Sequence, residues 1–286
     1  MSGNGDERAQ AAELAAGLGA ALRRRARLGP RRAWVAAPER PARAPAAAAP
    51  AAPAPRPQAA RPQAARPASA PPPLERAAAP RSPALLAAER EAALVRERAV
   101  ACADLAALRA GVAGCTACGL CATRTQTVFC DGPARARVMF VGEAPGADED
   151  LQGVPFVGRA GKLLTDIIEK GMGLSRAEVH IANVLKCRPP ENRDPSPAEK
   201  LVCTPWLDRQ IELVDPEVLI PLGRHAANHV LGSDVAMGRL RGRVHELGGR
   251  KVVPTYHPAY LLRSPGMKKE CWADIQLAMG LLGLRK

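Results

Sequence analysis

Three residues able to do hydrogen-bonding or acid–base chemistry each fall where a short apolar run of this sequence ends. Val138–Val141 leads into Gly142-Glu143-Ala144-Pro145-Gly146, Val179–Ala182 ends at Asn183, and Lys251–Thr255 is followed by His257. A fourth run, Val218–Pro221, ends at Gly223-Arg224. A carboxylate, a carboxamide and an imidazole thus converge on one edge, where ligands of an open parallel sheet bind. Phe156, one of only three phenylalanines, could add a stacking face. Taken singly these residues have plainer readings: a Gly-x-x-Pro-Gly turn, a capping asparagine, a structural histidine, a core phenylalanine. Their recurrence at successive strand ends is what points to a site.

The cysteines form a second constellation. Cys115-x-x-Cys118-x-x-Cys121 precedes the first apolar run, and Cys187 and Cys203 follow far downstream. Spacing alone selects Cys115, Cys118 and Cys121 as in ferredoxin-like runs, leaving the fourth ligand open, and a four-cysteine zinc site competes with an iron–sulfur cluster. Cys102 and Cys271 lie in amphipathic stretches and read as small hydrophobes, as Trp206 and Trp272 read as core.

The elements that must position these groups alternate between apolar runs and helical periodicity. Helical patterns are expected at Ser82–Ala110, Arg159–Gly171, Pro197–Leu213, Arg224–Leu231 and Lys269–Leu284. Ser196, Pro197 and Glu199 spell a capping box at the start of the third. Strands alternating with helices imply an α/β fold, a small central parallel four-stranded sheet flanked by helices. Ligands of such sheets bind beyond the carboxyl ends of the strands, where Glu143, Asn183 and His257 fall.

The chain of 286 residues is uneven. Residues 1–82 hold half of the 28 prolines and carry 14 Lys/Arg against five Asp/Glu, whereas the remainder carries 27 against 23. The first segment reads as a disordered, basic Ala/Pro/Arg-rich tail, because it cannot bury enough apolar surface to offset its ordering entropy. It is expected to act as a tether, a DNA-tracking arm, or a contact for a repair or replication protein. Residues 83–286 are long enough for one domain. No apolar run reaches the ~20 residues that span a bilayer, and the first residues lack a signal-peptide core. The expectation is a soluble, cytoplasmic, nucleoid-associated monomer with reduced cysteines.

Four segments, GEAPGADED (142–150), PFVGRAGKLL (155–164), NVLKCRPPENR (183–193) and HPAYLLR (257–263), resemble the family 4 uracil-DNA glycosylases in order and separation. The likeness spans roughly residues 100–285. It implies an enzyme that flips uracil out of DNA and hydrolyses its N-glycosidic bond, starting base excision repair. It also implies a structural [4Fe–4S] cluster on Cys115, Cys118, Cys187 and Cys203, which leaves Cys121 an extra thiol. By the same resemblance Phe156 stacks on uracil, Asn183 pairs with its O4/N3 edge, and Gly142 and Ala144 line the pocket. His257 would donate to uracil O2, and Leu261, Leu262 and Arg263 would form the wedge and phosphate-contact loop. Other uracil-DNA glycosylases carry an aspartate where this chain has Ala144. Glu143 is therefore expected to position the water or stabilise the sugar cation, with Glu149 or Asp150 next in line.

Two rivals bear on the same residues. Relatives that crosslink to uracil-DNA carry a nucleophilic histidine after the second strand, where this chain reads KCRPPENRDPSPAEK. A metal-bearing scaffold without activity is the other. His225 and His229, spaced i, i+4, are expected to be surface or phosphate-facing residues.

Overall fold

A computed structural model describes residues 82–284; expectations placed on the tail lie outside the described residues. Two helices come first. Helix α1 (Pro83–Ala101) is capped by Ser82 Oγ, which accepts from Leu85 N at 3.3 Å. Helix α2 (Leu105–Ala113) begins at Asp104, whose carboxylate accepts from Ala107 N at 2.8 Å. The single helix expected over Ser82–Ala110 is thus broken at 102–104, because the side chain of Asp104 competes for backbone donors and starts a new helix.

The sheet follows in the order β2-β1-β3-β5-β4. Strands β1 (Val138–Gly142), β2 (His180–Asn183), β3 (Val218–Pro221) and β5 (Arg250–Val252) are parallel to their neighbours within this set and match the four expected runs. A fifth, β4 (His245–Leu247), pairs antiparallel with β5 at the sheet edge. Gly248 and Gly249 join them at φ 55° and 85°, the left-handed pair that a tight hairpin needs.

β1 and β3 are buried along their whole length, as strands covered on both faces must be. Val138 and Phe140 point into a core shared with Ile168, Ile275 and Met279, while Met139 and Val141 point into one shared with Val95, Trp206 and Leu207. The first core is closed by α4 (Arg159–Asp166), its π-helical continuation Ile167–Met172, and α9 (Lys268–Leu281). The second is closed by α1, α2 and α5 (Pro197–Val214), whose start shows the expected capping box: Ser196 Oγ accepts from Glu199 N at 3.2 Å and Glu199 accepts from Ser196 N at 2.8 Å. Short helices α3 (Ala147–Gln152), α6 (Arg224–Leu231), α7 (Met237–Leu240) and α8 (Pro258–Arg263) fill the connections. No helix among the described residues is long and apolar enough to cross a membrane.

Candidate active site

With β1 in the middle, β2 on one side and β3 on the other, the chain reverses direction across the sheet at β1, and the crevice at the strands' carboxyl ends collects the site. Gly142 and Asn183 are register partners at the ends of β1 and β2. The connections beyond them stay joined: Val184 N donates to Gly142 O at 3.0 Å and Leu185 N to Glu143 O at 2.9 Å.

Gly142 sits where no side chain fits. A Cβ there would lie 2.2 Å from Asn183 Oδ1 and 2.5 Å from Phe156 Cζ. Asn183 is only 2% exposed, and its Oδ1 has no hydrogen-bond partner among the described residues. A buried acceptor left unmet costs about 1–3 kcal/mol, so this one marks a place where a ligand donor is expected. Phe156 is buried beside it in the left-handed region, φ 57°, a conformation that costs about 1–3 kcal/mol and clusters at functional sites. Gly161 lets the chain pass, since a Cβ there would meet Phe156 O at 1.9 Å.

The ring of His257 lies 5.6 Å from that of Phe156, tilted by 31°. His257 caps α8, and its Nδ1 accepts from Ala259 N at 3.1 Å. Burial lowers its pKa to about 4, with Arg263 adding to the effect, so the imidazole is neutral at neutral pH. With Nδ1 accepting, the single ring proton is on Nε2, and His257 is a neutral Nε2–H donor.

The carboxylates separate by role. Glu149 accepts from Gly146 N at 3.0 Å with one oxygen and from Val157 N and Gly158 N at 3.1 Å with the other. Asp150 is buried and accepts from Thr125 N at 3.1 Å through both oxygens. Both are committed to backbone, which removes them as substitutes for Glu143. Glu143 makes no such bonds among the described residues; burial raises its pKa, and the nearby His225 opposes that rise.

His225 and His229 are not the surface pair expected. His229 Nε2 lies 2.9 Å from Asp208 Oδ1, and His225 Nε2 lies 3.9 Å from Glu143 Oε1 and 3.5 Å from Asp194 Oδ2. His225 in the first turn of α6 and His229 in its last both face carboxylates and are only partly exposed. At the 257–263 turn, Leu261 is 1% exposed and belongs to the core, whereas Leu262 and Arg263 are exposed. The helical turn points Leu261 inward, so it cannot be the wedge; Leu262 can.

Cys115, Cys118, Cys121, Cys187 and Cys203 line a single cavity between α2, the 3-10 turn Gly119–Ala122 and α5. Burial pushes the Cys118 thiol up to about 11 and the Cys203 thiol up to about 12. Arg124 reaches in, its Nη1 donating to Cys187 Sγ at 3.1 Å and to Cys115 O at 2.8 Å. A thiol-rich cavity with donors aimed at sulfur fits a sulfur-ligated metal centre, which would deprotonate the thiols that burial otherwise keeps neutral. Sequence reasoning missed Lys186, which is fully buried and donates through Nζ to Asn183 O at 2.9 Å and to Gln210 Oε1 at 2.6 Å, while its backbone N donates to Cys203 Sγ at 3.3 Å. Its position between Asn183 and Cys187 is the signal that could have drawn attention to it.

Phe156, the unmet amide acceptor of Asn183 and the neutral imidazole of His257 thus come together at the carboxyl ends of a mostly parallel α/β sheet. Residues 129–276 match the uracil DNA glycosylase superfamily. The Type-4 uracil-DNA glycosylase of Thermotoga maritima is 47% identical over 172 residues, 59% of this chain and 89% of that protein. That of Archaeoglobus fulgidus is 43% identical over 183 residues, 61% of this chain and 92% of that protein. A Type-5 uracil-DNA glycosylase of Pyrobaculum aerophilum is more distant, at 33% identity over 147 residues, 46% of this chain and 64% of that protein. The chain belongs to the uracil-DNA glycosylase superfamily and, within it, to the type-4 family.

Proposed function

We propose that this chain excises uracil from DNA, and that the single observation carrying the assignment is the unmet, buried Asn183 Oδ1 beside Phe156 and Gly142. Uracil presents an N3–H donor and an O4 acceptor on one edge, matching the acceptor and the NH2 donor of one carboxamide. Cytosine presents an N3 acceptor and an N4 donor there, so the same carboxamide would face two mismatches. Leaving buried polar groups unpaired is what gives such sites their discrimination. Phe156 stacks on the extruded ring, and Gly142 keeps the space it needs. Extrusion of the nucleotide costs a few kcal/mol, which Leu262 offsets by filling the vacated stack and Arg263 by contacting phosphate.

Bond breaking leaves the electron pair of the C1′–N1 bond on uracil, with negative charge at O2 and positive charge on the sugar. His257 donates its Nε2–H to O2, a preorganised contact worth about 3–4 kcal/mol. Neutrality suits this role, because a neutral donor stays protonated across the working pH range. Glu143 stabilises the sugar cation and orients the water whose oxygen joins C1′. The released water proton passes to Glu143 or to solvent. The backbone N–H groups of the 142–146 loop, where Ala144 stands, add to the charge stabilisation.

Cys115, Cys118, Cys187 and Cys203 would hold a [4Fe–4S] cluster, whose contribution is to crosslink the N-terminal helices to the loop after β2. Deglycosylation transfers no electron, so the role assigned is structural.

The test is single-turnover excision from a labelled oligonucleotide holding one uracil, read by alkaline strand cleavage, for wild type and His257→Ala. Cleavage that collapses in the variant supports the assignment. Cluster-replete wild type that releases no uracil overturns it.

A further inference from the structure

Glu143 is the carboxylate the chemistry needs, yet its own surroundings work against it. It is half-buried at the end of β1, and burial pushes its carboxyl toward the neutral form. Four charged or titratable groups face it. His225 and Arg224 come from the first turn of α6, Lys200 from α5, and Asp194 from the loop between β2 and α5. Three favour the carboxylate anion, while Asp194 opposes it.

Their exposures rank them. The His225 side chain is 18% exposed and Glu143 29%, so water screens their interaction only in part. Asp194 is 80% exposed, so its repulsion of Glu143 is largely screened, although it stays within 3.5 Å of His225 Nε2. His225 Nε2 thus sits between two carboxylate oxygens, at 3.5 Å and 3.9 Å, with Arg224 Nη2 also 3.5 Å away. The ring therefore faces both carboxylates. Of the neighbours that stabilise the anion, His225 acts most strongly.

We propose that His225 is a positioning residue for hydrolysis of the glycosidic bond: set between Glu143 and Asp194, its imidazole keeps the Glu143 carboxylate charged and in place at the rim of the uracil pocket. This rests on the role given above to Glu143. His225 itself does not touch the substrate. Its place two residues after Gly223, at the switch point of the sheet, brings it to Glu143 with no insertion in the fold.

The experiment is single-turnover excision with saturating enzyme across the acid and alkaline range, using cluster-loaded wild type, Glu143→Gln, His225→Asn, His225→Lys and the Glu143→Gln/His225→Asn double variant. Removing His225 lets the pKa of Glu143 rise further, so the acid limb of the rate moves to higher pH. A displacement of about one pH unit slows excision about tenfold below the limb and leaves the alkaline plateau within about twofold of wild type. The enzyme concentration that half-saturates the single-turnover rate stays unchanged, His225→Lys returns the limb toward its wild-type position, and the double variant is no slower than Glu143→Gln.

A strongly impaired Glu143→Gln beside a wild-type pH profile in His225→Asn overturns the role of His225 and leaves that of Glu143 standing. A Glu143→Gln enzyme as fast as wild type removes the role of Glu143 and this proposal with it. A uniform loss at every pH in His225→Asn, unrelieved by lysine and accompanied by a lower melting temperature, makes His225 a structural residue and also overturns the proposal.

Discussion

Glu149→Gln tests how the pocket keeps its aromatic wall. The carboxylate of Glu149 bridges two loops, taking Gly146 N at 3.0 Å on one oxygen and both Val157 N and Gly158 N at 3.1 Å on the other. Between Pro155 and Val157 stands Phe156 at φ 57°, which the chain would abandon if nothing held its neighbours. Glutamine is nearly the same size but offers one oxygen and one NH2, so at least one backbone N–H then faces another donor. Charge-assisted bonds are worth about 1.5–3 kcal/mol each, and an unmet donor costs about 1–3 kcal/mol. The variant therefore loses about 2–4 kcal/mol of support at a segment whose strain is about 1–3 kcal/mol. The two are comparable, so the 155–158 loop should open while the sheet stays folded. Excision under single-turnover conditions should fall by about 30-fold or more, since each 1.4 kcal/mol is a factor of about ten. Far-ultraviolet circular dichroism should be unchanged, and limited proteolysis should gain a cut near residue 156. Activity within about twofold of wild type, with no new cut, would refute the clamp and the claim that Phe156 needs it.

Three further outcomes follow from the same geometry. Gly142→Ala places a methyl between Asn183 Oδ1 and Phe156 Cζ, and the overpacking cost of about 1–3 kcal/mol should cut kcat/KM about 10- to 100-fold and lower the melting temperature by about 2–4 °C per kcal/mol. Among the cysteines, Cys121→Ser should retain iron and the brown absorbance, whereas Cys115→Ser, Cys118→Ser, Cys187→Ser and Cys203→Ser should each lose them, as measured by iron analysis of the purified protein. Leu262→Ala should slow excision from duplex more than from single-stranded DNA, because only a duplex leaves a stack to fill; Leu261→Ala, at a core position, should instead lower stability by about 2–5 kcal/mol, read by urea unfolding.

Most of the parallel sheet is legible because its strands are short apolar runs with polar or glycine ends, and a buried parallel strand needs nothing more. The edge hairpin is not, although Leu247-Gly248-Gly249-Arg250 carries its turn in plain view. Its second strand overlaps the expected run Lys251–Thr255, but its first, His245–Leu247, is three residues and too polar to form one. Glu143, Asn183 and His257 can be placed because strand ends converge whatever the side chains do. The direction each side chain takes is less accessible. Leu261 and Leu262 are adjacent and chemically alike, and only the phase of α8 against the core sends one inward. His225 and His229 share the i, i+4 spacing of an exposed pair, and only the packing of α6 shows which carboxylates they meet. Glu149 and Asp150 stand as alternatives to Glu143 until the backbone donors around them can be counted.

The segment from Asn183 to Cys187 would couple the proposed metal centre to this pocket. Lys186 donates to the carbonyl of Asn183 and, through its backbone, to Cys203 Sγ, while its own carbonyl accepts from Val128 N at 2.8 Å. Its ammonium is buried among neutral oxygens, and burial lowers its pKa to about 8. A cation so placed persists only where its oxygens are held at fixed positions. Those oxygens come from Phe129, Asn183 and Gln210, and both Asn183 and Gln210 lie on elements anchored at Cys187 and Cys203. Untying the cysteines therefore frees the ligands of Lys186 first and the carboxamide of Asn183 next. Loss of the metal centre should then weaken discrimination between uracil and cytosine before it unfolds the sheet.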